Sequence, residues 1–293
     1  MVGAGAGAFA LGTGRFARAQ SATPAAGIKQ SLDISYATRS GSDPNLTRLD
    51  VCAPDGARDL PVMVFVHGGG WRRGDKSIYT VNQSNYFCLR GFVYVGVNYR
   101  LAPAVTYPGF SEDVAAAIGW IKTSIASYGG DPLNIVISGH SAGSQLVAYA
   151  GVDEKMLNAA GVQLSDLKGV IAIDGAAYEI PSGMMRPGSQ YTQMIQSVFT
   201  SDPTVWQEAS ATSHIAAGKG IPPYLIFSSH RPGGDTMSTL LADAFKKANV
   251  PAEYVLSKDD SHMTIVRNYA VAGTFVASTT AGWLKSQLGL SLD

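Results

Sequence analysis

The sequence predicts an α/β protein built on a mostly parallel central sheet with helices on both faces. Three observations carry that expectation. From Ile34 onward, short β-branched or aromatic runs alternate with longer stretches of helical periodicity. Two of the runs, Pro61–Val66 and Phe92–Val97, have the solid apolar character of strands covered on both sides. The 33 glycines and 14 prolines among 293 residues supply tight turns and close backbone approaches, which a multi-stranded α/β chain needs more than a helical bundle does.

The first 28 residues stand apart from this rhythm. Met1–Leu11 is an Ala/Gly-rich apolar run, and Ala17-Arg18-Ala19 before Gln20 resembles a signal-cleavage site, although no basic region precedes it. Residues 1–28 read either as the remnant of a secretion signal, with a secreted or periplasmic location, or as a disordered start of a cytoplasmic chain. Residues 29–293 read as one domain, since no internal repeat or low-complexity linker divides them.

Within that domain, Ser77–Arg90 is long enough for a crossover helix between the first two buried strands. Val114, Ile118, Ile121 and Ile125 recur at helical spacing after the acidic start Ser111-Glu112-Asp113, and Gly129-Gly130-Asp131-Pro132 supplies the stop. Then come a strand over Asn134–Ser138, a helix over Ala142–Ala150 and strands over Gly169–Ile173 and Pro223–Ser228. A helix over Thr236–Asn249, a strand over Ala252–Ser257 and a closing helix over Met263–Leu288 complete the chain. Residues 175–220 break the alternation with Met184, Met185, Tyr191, Met194, Phe199 and Trp206 among Ser, Pro and Gly. A long insertion of this kind reads as a lid or pocket wall, or as helices packing aromatics on the core.

Composition narrows the function classes. With 46% hydrophobic and 15% charged residues the chain is too apolar for disorder and too mixed for collagen or a coiled coil. Lys plus Arg and Asp plus Glu are each 22, which leaves no net charge to attract nucleic acid or an anionic membrane. No run of eighteen apolar residues predicts a membrane span. Cys52 and Cys88 lack metal-ligand spacing and are expected as two buried thiols rather than an isolated bridge.

Gly139-His140-Ser141-Ala142-Gly143 falls between a predicted strand and a predicted helix. A serine at such a sharp turn is lifted above the sheet, and the glycines two residues to either side avoid clashes. Ser141 is the candidate nucleophile, with the Ala142 N–H as an oxyanion donor at the helix start. His67-Gly68-Gly69-Gly70-Trp71 follows another strand, and bare glycines let backbone N–H groups approach a reacting carbonyl oxygen. An ordinary βα turn or a phosphate cradle would use similar residues, but no Lys-Ser or Lys-Thr follows and the G-x-G-x-x-G spacing fails.

Serine needs a base. Of the five histidines, His67 belongs to the glycine turn, His140 is expected to point away from Ser141, and His214 lies in the insertion. His230 and His262 follow the last two strands; sites in doubly wound sheets assemble at strand carboxyl ends, which selects His262 after the final strand. In the order Ser…acid…His, the acid is expected after the penultimate strand, where Asp235 is the acid of the stretch Ser228–Asp235. The alternative role for Asp235 is to cap the following helix. Asp174, after the preceding strand, is held in reserve.

Together these residues resemble the α/β-hydrolase carboxylesterases related to hormone-sensitive lipase, and more closely their feruloyl-esterase-like and kynurenine-formamidase-like relatives, from about Asp50 to Leu288. His67-Gly-Gly-Gly-Trp71 is similar to the family's oxyanion motif, whose second and third glycines, here Gly69 and Gly70, donate N–H groups. Asn98-Tyr99-Arg100-Leu101-Ala102-Pro103, with Tyr107-Pro108 and Asp113 downstream, is similar to a family segment that shapes the wall of the site, and Ser141-Ala142-Gly143-Ser144-Gln145-Leu146 matches the nucleophile elbow. Residues 229–235 depart from the family's Gly-x-x-Asp-x-x-Val-Pro acid pattern, with His230 near the acid's usual place. The N-terminal segment is short for the helical cap of the lipase-like branch, so a more open pocket is expected.

The resemblance implies an α/β-hydrolase fold and an enzyme cleaving small carboxylic esters through an acyl-enzyme, with no cofactor and a small-molecule substrate. Arylformamidase or other amidase activity uses the same machinery. A catalytically silent hydrolase fold serving as a ligand receptor, as in the gibberellin receptor, is disfavoured because His262 is retained. The Met- and aromatic-rich insertion points to an apolar acyl or aryl group.

Overall fold

The computed structural model describes residues 25–184, 189–231 and 234–292. Residues 1–24 of the signal-like segment, and Met185 of the insertion, lie outside them.

Among the described residues the chain builds one eight-stranded sheet. Its strands are β1 (Ile28–Ser35), β2 (Arg48–Pro54), β3 (Leu60–Val66), β4 (Val93–Val97), β5 (Gly130–His140), β6 (Leu167–Ile173), β7 (Tyr224–Ser229) and β8 (Ala252–Ser257), in the spatial order β1-β2-β4-β3-β5-β6-β7-β8. From β4 to β8 every pairing is parallel, whereas β1 and β2 pair antiparallel at one edge. Sequence reading finds β3 and β4 as unbroken apolar runs; it misses β1 and β2 because polar residues interrupt them. The edge strand β1 is half polar, and β2 carries Asp50 inside the fold, where Lys76 Nζ stands 3.0 Å from its Oδ1. β1 also begins at Ile28, one residue earlier than the expected domain start.

The parallel strands divide the core into two faces. Val62, Val64 and Val66 of β3 face one hydrophobic cluster with α2 (Gly109–Ser124) and α3 (Ala142–Ala150), while Met63 and Phe65 face a second. That second cluster is covered by α1 (Ser77–Cys88) and by the C-terminal helices. This alternation follows from the two-residue period of a strand and forces helices onto both sides of the sheet. Cys52 and Cys88 are buried free thiols, and Cys88 Sγ donates to the Cys52 carbonyl at 3.1 Å.

After α3 the chain forms α4 (Glu154–Ala159), then the insertion helices α5 (Ile180–Gly183), α6 (Gln190–Phe199) and α7 (Pro203–Ala209), and α8 (Gly234–Lys247) between the last two strands. Ile195, Val198 and Phe199 of α6 are each 0% exposed and follow the i, i+3, i+4 spacing of one helical stripe. Burial of each is worth about 1.5–3 kcal/mol, so the inner face of α6 is firmly packed on the core. The expected closing helix is two helices, α9 (Thr264–Asn268) and α10 (Phe275–Leu288). The first ends at Asn268; a turn through Gly273, at φ 81°, follows, after which the Thr274 side chain accepts from the Ala277 N–H and starts a new helix.

Candidate active site

β5 ends at His140 and α3 begins at Ala142, so Ser141 alone makes the turn between them. Its backbone sits at φ 56° and ψ −118°, a conformation that costs a side-chain-bearing residue about 1–3 kcal/mol. The turn is held by the Ser141 N–H, which donates to the Ile173 carbonyl at 3.0 Å. It also dictates the flanking glycines: a Cβ at residue 139 would lie 2.4 Å from the Gly143 carbonyl oxygen, and one at residue 143 would lie 2.1 Å from that of Val66. The elbow spacing is thus a steric requirement of one sharp bend.

His262 stands on the loop between β8 and α9. Its Nε2 is 3.0 Å from Ser141 Oγ, and its Nδ1 is 2.6 Å from Asp174 Oδ2. Because the carboxylate can only accept, Nδ1 carries the proton, and the Nε2 lone pair is left facing the serine hydroxyl. His140, beside the nucleophile in sequence, reaches His262. Its Nε2–H donates to the His262 carbonyl at 2.7 Å, and the two rings lie 4.6 Å apart. Burial, with a smaller contribution from the neighbouring His262, pushes His140 down to about 3, so it stays a neutral support.

The carboxylate that meets His262 is that of Asp174, the reserve candidate, and not that of Asp235, the expected one. Asp235 is exposed in the first turn of α8, where its Oδ1 accepts from the Thr236 N–H at 2.9 Å, the helix-start role weighed against it. Asp174 follows β6 directly and is 0% exposed. Its Oδ1 accepts from the Ser229 N–H at 3.0 Å, and its Oδ2 from Ser229 Oγ at 2.7 Å and Arg231 Nε at 3.0 Å besides His262. Burial opposes ionisation of this carboxyl, but the donors from His262, Ser229 and Arg231 outweigh it and hold it down at about 2. The turn carrying the acid is tied to the serine's helix through Tyr178, whose hydroxyl accepts from the Gly175 N–H at 3.0 Å and lies 2.5 Å from Ser144 Oγ.

The glycine run after β3 passes against the elbow: a Cβ on Gly68 would sit 3.0 Å from that of Ser141. Gly69 and Gly70 follow with φ of 123° and 63°, and a Cβ at residue 69 would collide with the Arg73 carbonyl oxygen at 1.9 Å. The loop is braced by the segment expected to shape the wall. Tyr99 donates its hydroxyl to the His67 carbonyl at 3.0 Å, the Ala102 N–H donates to the Trp71 carbonyl at 2.8 Å, and Trp71 Nε1 donates to Gln145 Oε1 on α3 at 3.2 Å. Above it, Met194 of α6 lies with Sδ 3.5 Å from where a Cβ on Gly70 would be, and Phe199 packs edge-on against Trp71 at 5.1 Å.

The structure therefore brings Ser141, His262, Ala142 and the Gly69-Gly70 loop together and leaves Asp235 outside. Sequence reading missed Arg231 and Ser229 as partners of the acid. The one signal for Asp174 was a lone acid, followed by glycine, directly after a buried strand.

This serine, histidine and aspartate on an eight-stranded, mostly parallel sheet are arranged as in the α/β-hydrolase fold. A family model described as BD-FAE matches residues 49–232, more than half of the chain, and the chain belongs to that family. Among curated relatives it is 30% identical to esterase LipQ of Mycobacterium tuberculosis (strain ATCC 25618 / H37Rv) over 215 residues, 69% of this chain and 49% of that protein. It is 38% identical to carboxylesterase NlhH of Mycobacterium tuberculosis (strain CDC 1551 / Oshkosh) over 96 residues, 32% of this chain and 30% of that one. The chain spans about half the length, or less, of the curated relatives it matches first. Solved structures share the fold. Esterase B from Lactobacillus rhamnosis matches with a TM-score of 0.75 at 19% identity, covering 93% of this chain and 89% of that one. Thermogutta terrifontis esterase 2 phosphonylated by sarin matches at 0.71 and 24% identity, covering 89% and 95%.

Proposed function

We propose that this protein is a serine hydrolase that cleaves small carboxylic esters through an acyl-enzyme. One observation carries the reading: the hydrogen-bond line from Asp174 Oδ2 through His262 to Ser141 Oγ, ending on a strained elbow beside a glycine loop. Ser141 Oγ attacks the ester carbonyl carbon as its proton passes to His262 Nε2. The C–O bond to the alcohol then breaks, with His262 returning that proton to the leaving alkoxide. A water, deprotonated by the same nitrogen, attacks the acyl carbon, and the Ser141–acyl bond breaks to release the carboxylic acid as His262 returns the proton to Ser141 Oγ.

The negative charge on the tetrahedral oxygen falls to the N–H groups of Gly69, Gly70 and Ala142, each worth about 3 kcal/mol in the transition state. Ala142 is suited to this because the first residue of a helix has no carbonyl one turn back to receive its N–H. The names of the relatives, esterase and carboxylesterase, support the same reaction class.

The insertion supplies a thioether over Gly70 and an aromatic packed on Trp71, which favours a short apolar acyl or an aryl group. A fluorophosphonate is expected to label Ser141. A graded series of p-nitrophenyl esters is expected to show kcat/KM highest for acetate to butyrate, about tenfold or more above long-chain esters, and N-formylkynurenine to be turned over more slowly than p-nitrophenyl acetate. Failure of both labelling and ester turnover would overturn the proposal.

Among the described residues no helix is long and apolar enough to cross a membrane. Residues 1–28 support export as a second proposal, and mass spectrometry of the mature N-terminus of the exported protein should place it just after Ala19.

A further inference from the structure

The buried carboxylate of Asp174 has a partner that the line from Ser141 to Asp174 does not require. Arg231 lies two residues beyond β7, and its Nε donates to Asp174 Oδ2 at 3.0 Å, the same oxygen that accepts from His262 Nδ1 at 2.6 Å. Its Nη2 reaches around the turn to the main-chain carbonyls of Asp174, at 3.3 Å, and Gly175, at 3.1 Å. A guanidinium remains charged at every working pH, so a full positive charge is fixed against the acid that faces the base.

The sign of its effect follows from Coulomb's law. A bare carboxylate favours the imidazolium form of His262; a carboxylate shared with a cation favours it less. Among the described residues, the groups around Asp174 and His262 add no second cation at this carboxylate. His140 is neutral over the working range, and Tyr178 and Tyr254, which also sense Asp174, are phenols raised above their ordinary range by burial. On the loop of His262 itself, Asp260 is turned to Ser257 Oγ and Asn268 Nδ2, while Lys258 and Asp259 are exposed.

We propose that Arg231 is a positioning residue that clamps Asp174 and, by sharing Oδ2 with His262, weakens the pull of that carboxylate on the His262 proton. The inference rests on the proposed hydrolytic role of Ser141, His262 and Asp174. It gives the departure at residues 229–235 a purpose, since the stretch that lacks the usual acid holds the cation that tunes the acid on the neighbouring strand.

The test is the pH dependence of kcat/KM for p-nitrophenyl acetate, followed in parallel by the rate of fluorophosphonate labelling. Arg231→Gln and Arg231→Met are expected to move the acidic limb upward by about half to one pH unit. One unit below the parent's limb, activity relative to each enzyme's own plateau then falls about 3–10-fold. Arg231→Lys keeps the charge but cannot bridge the carboxylate and both carbonyls. Its limb should remain at the parent's position even though its melting temperature falls. A limb unmoved in the Gln and Met variants, with only plateau or melting temperature lowered, would overturn the proposal, as would a limb displaced equally in the Lys variant. Absence of turnover and labelling in the parent would instead overturn the esterase reading, so the two failures are distinguishable.

Discussion

Ser141→Ala will abolish ester turnover, lowering kcat by about 10⁴- to 10⁶-fold, and will not react with a fluorophosphonate. The size of the effect follows from the site's dependence on one atom. Oγ is the atom aligned with the His262 lone pair at 3.0 Å, and no second hydroxyl takes its place on the elbow. The fold should survive, because the backbone bond from residue 141 to the Ile173 carbonyl is untouched and alanine suffers the same penalty at φ 56° as serine does. A melting temperature within a few degrees of the parent's would confirm that only chemistry was removed. His262→Ala should cost a similar factor, and the double variant little more than either single one, since base and nucleophile act as a unit. Turnover by Ser141→Ala within tenfold of the parent would mean that the hydroxyl is not the nucleophile.

Ser141 and His262 were legible in the sequence because each is marked locally. One sits in a glycine frame that a sharp strand-to-helix bend requires, and the other follows the last strand. The acid was harder to read for a geometric reason. β6 and β7 are parallel neighbours, with Ile173 opposite Phe227, so their carboxyl ends lie about one strand spacing, roughly 4.8 Å, apart. The Asp174 N–H even donates to the Phe227 carbonyl at 2.8 Å. A carboxylate from either strand end can reach the same imidazole, and chain order alone, Ser…acid…His, is satisfied by both. What distinguishes them is the set of donors around the acid, Ser229 and Arg231, which only the pairing of the strands brings together.

The same limit applied to the fold. Strands buried on both faces announce themselves as unbroken apolar runs, whereas β1 and β2 are interrupted by Asp33 and Asp50, both paired with Lys76 across the edge of the sheet. The split between α9 and α10 was hidden because a single glycine in an apolar stretch is compatible with either a weak helix or a break.

The choice of acid yields the second large effect. Asp174→Asn should lower kcat by about 10⁴-fold, because an amide presents a donor where the His262 Nδ1–H needs an acceptor and turns the imidazole to the wrong tautomer. Asp235→Asn should leave kcat within about twofold and stability within about 1 kcal/mol, since its exposed carboxylate contributes only to the start of α8. The Asp174 variant also carries a pH signature. In the parent the Asp174 carboxyl is held at about 2 in the folded protein against an ordinary 3.8, so the charge stabilises the native state fully above roughly pH 4 and that contribution is lost as the pH falls toward 2. The gap in unfolding free energy between parent and Asp174→Asn should therefore be widest at neutral pH and shrink below about pH 4. A reversed pair, with Asp235→Asn inactive and Asp174→Asn near the parent, would require the loop after β7 to carry the acid instead and would remove the partner through which Arg231 acts.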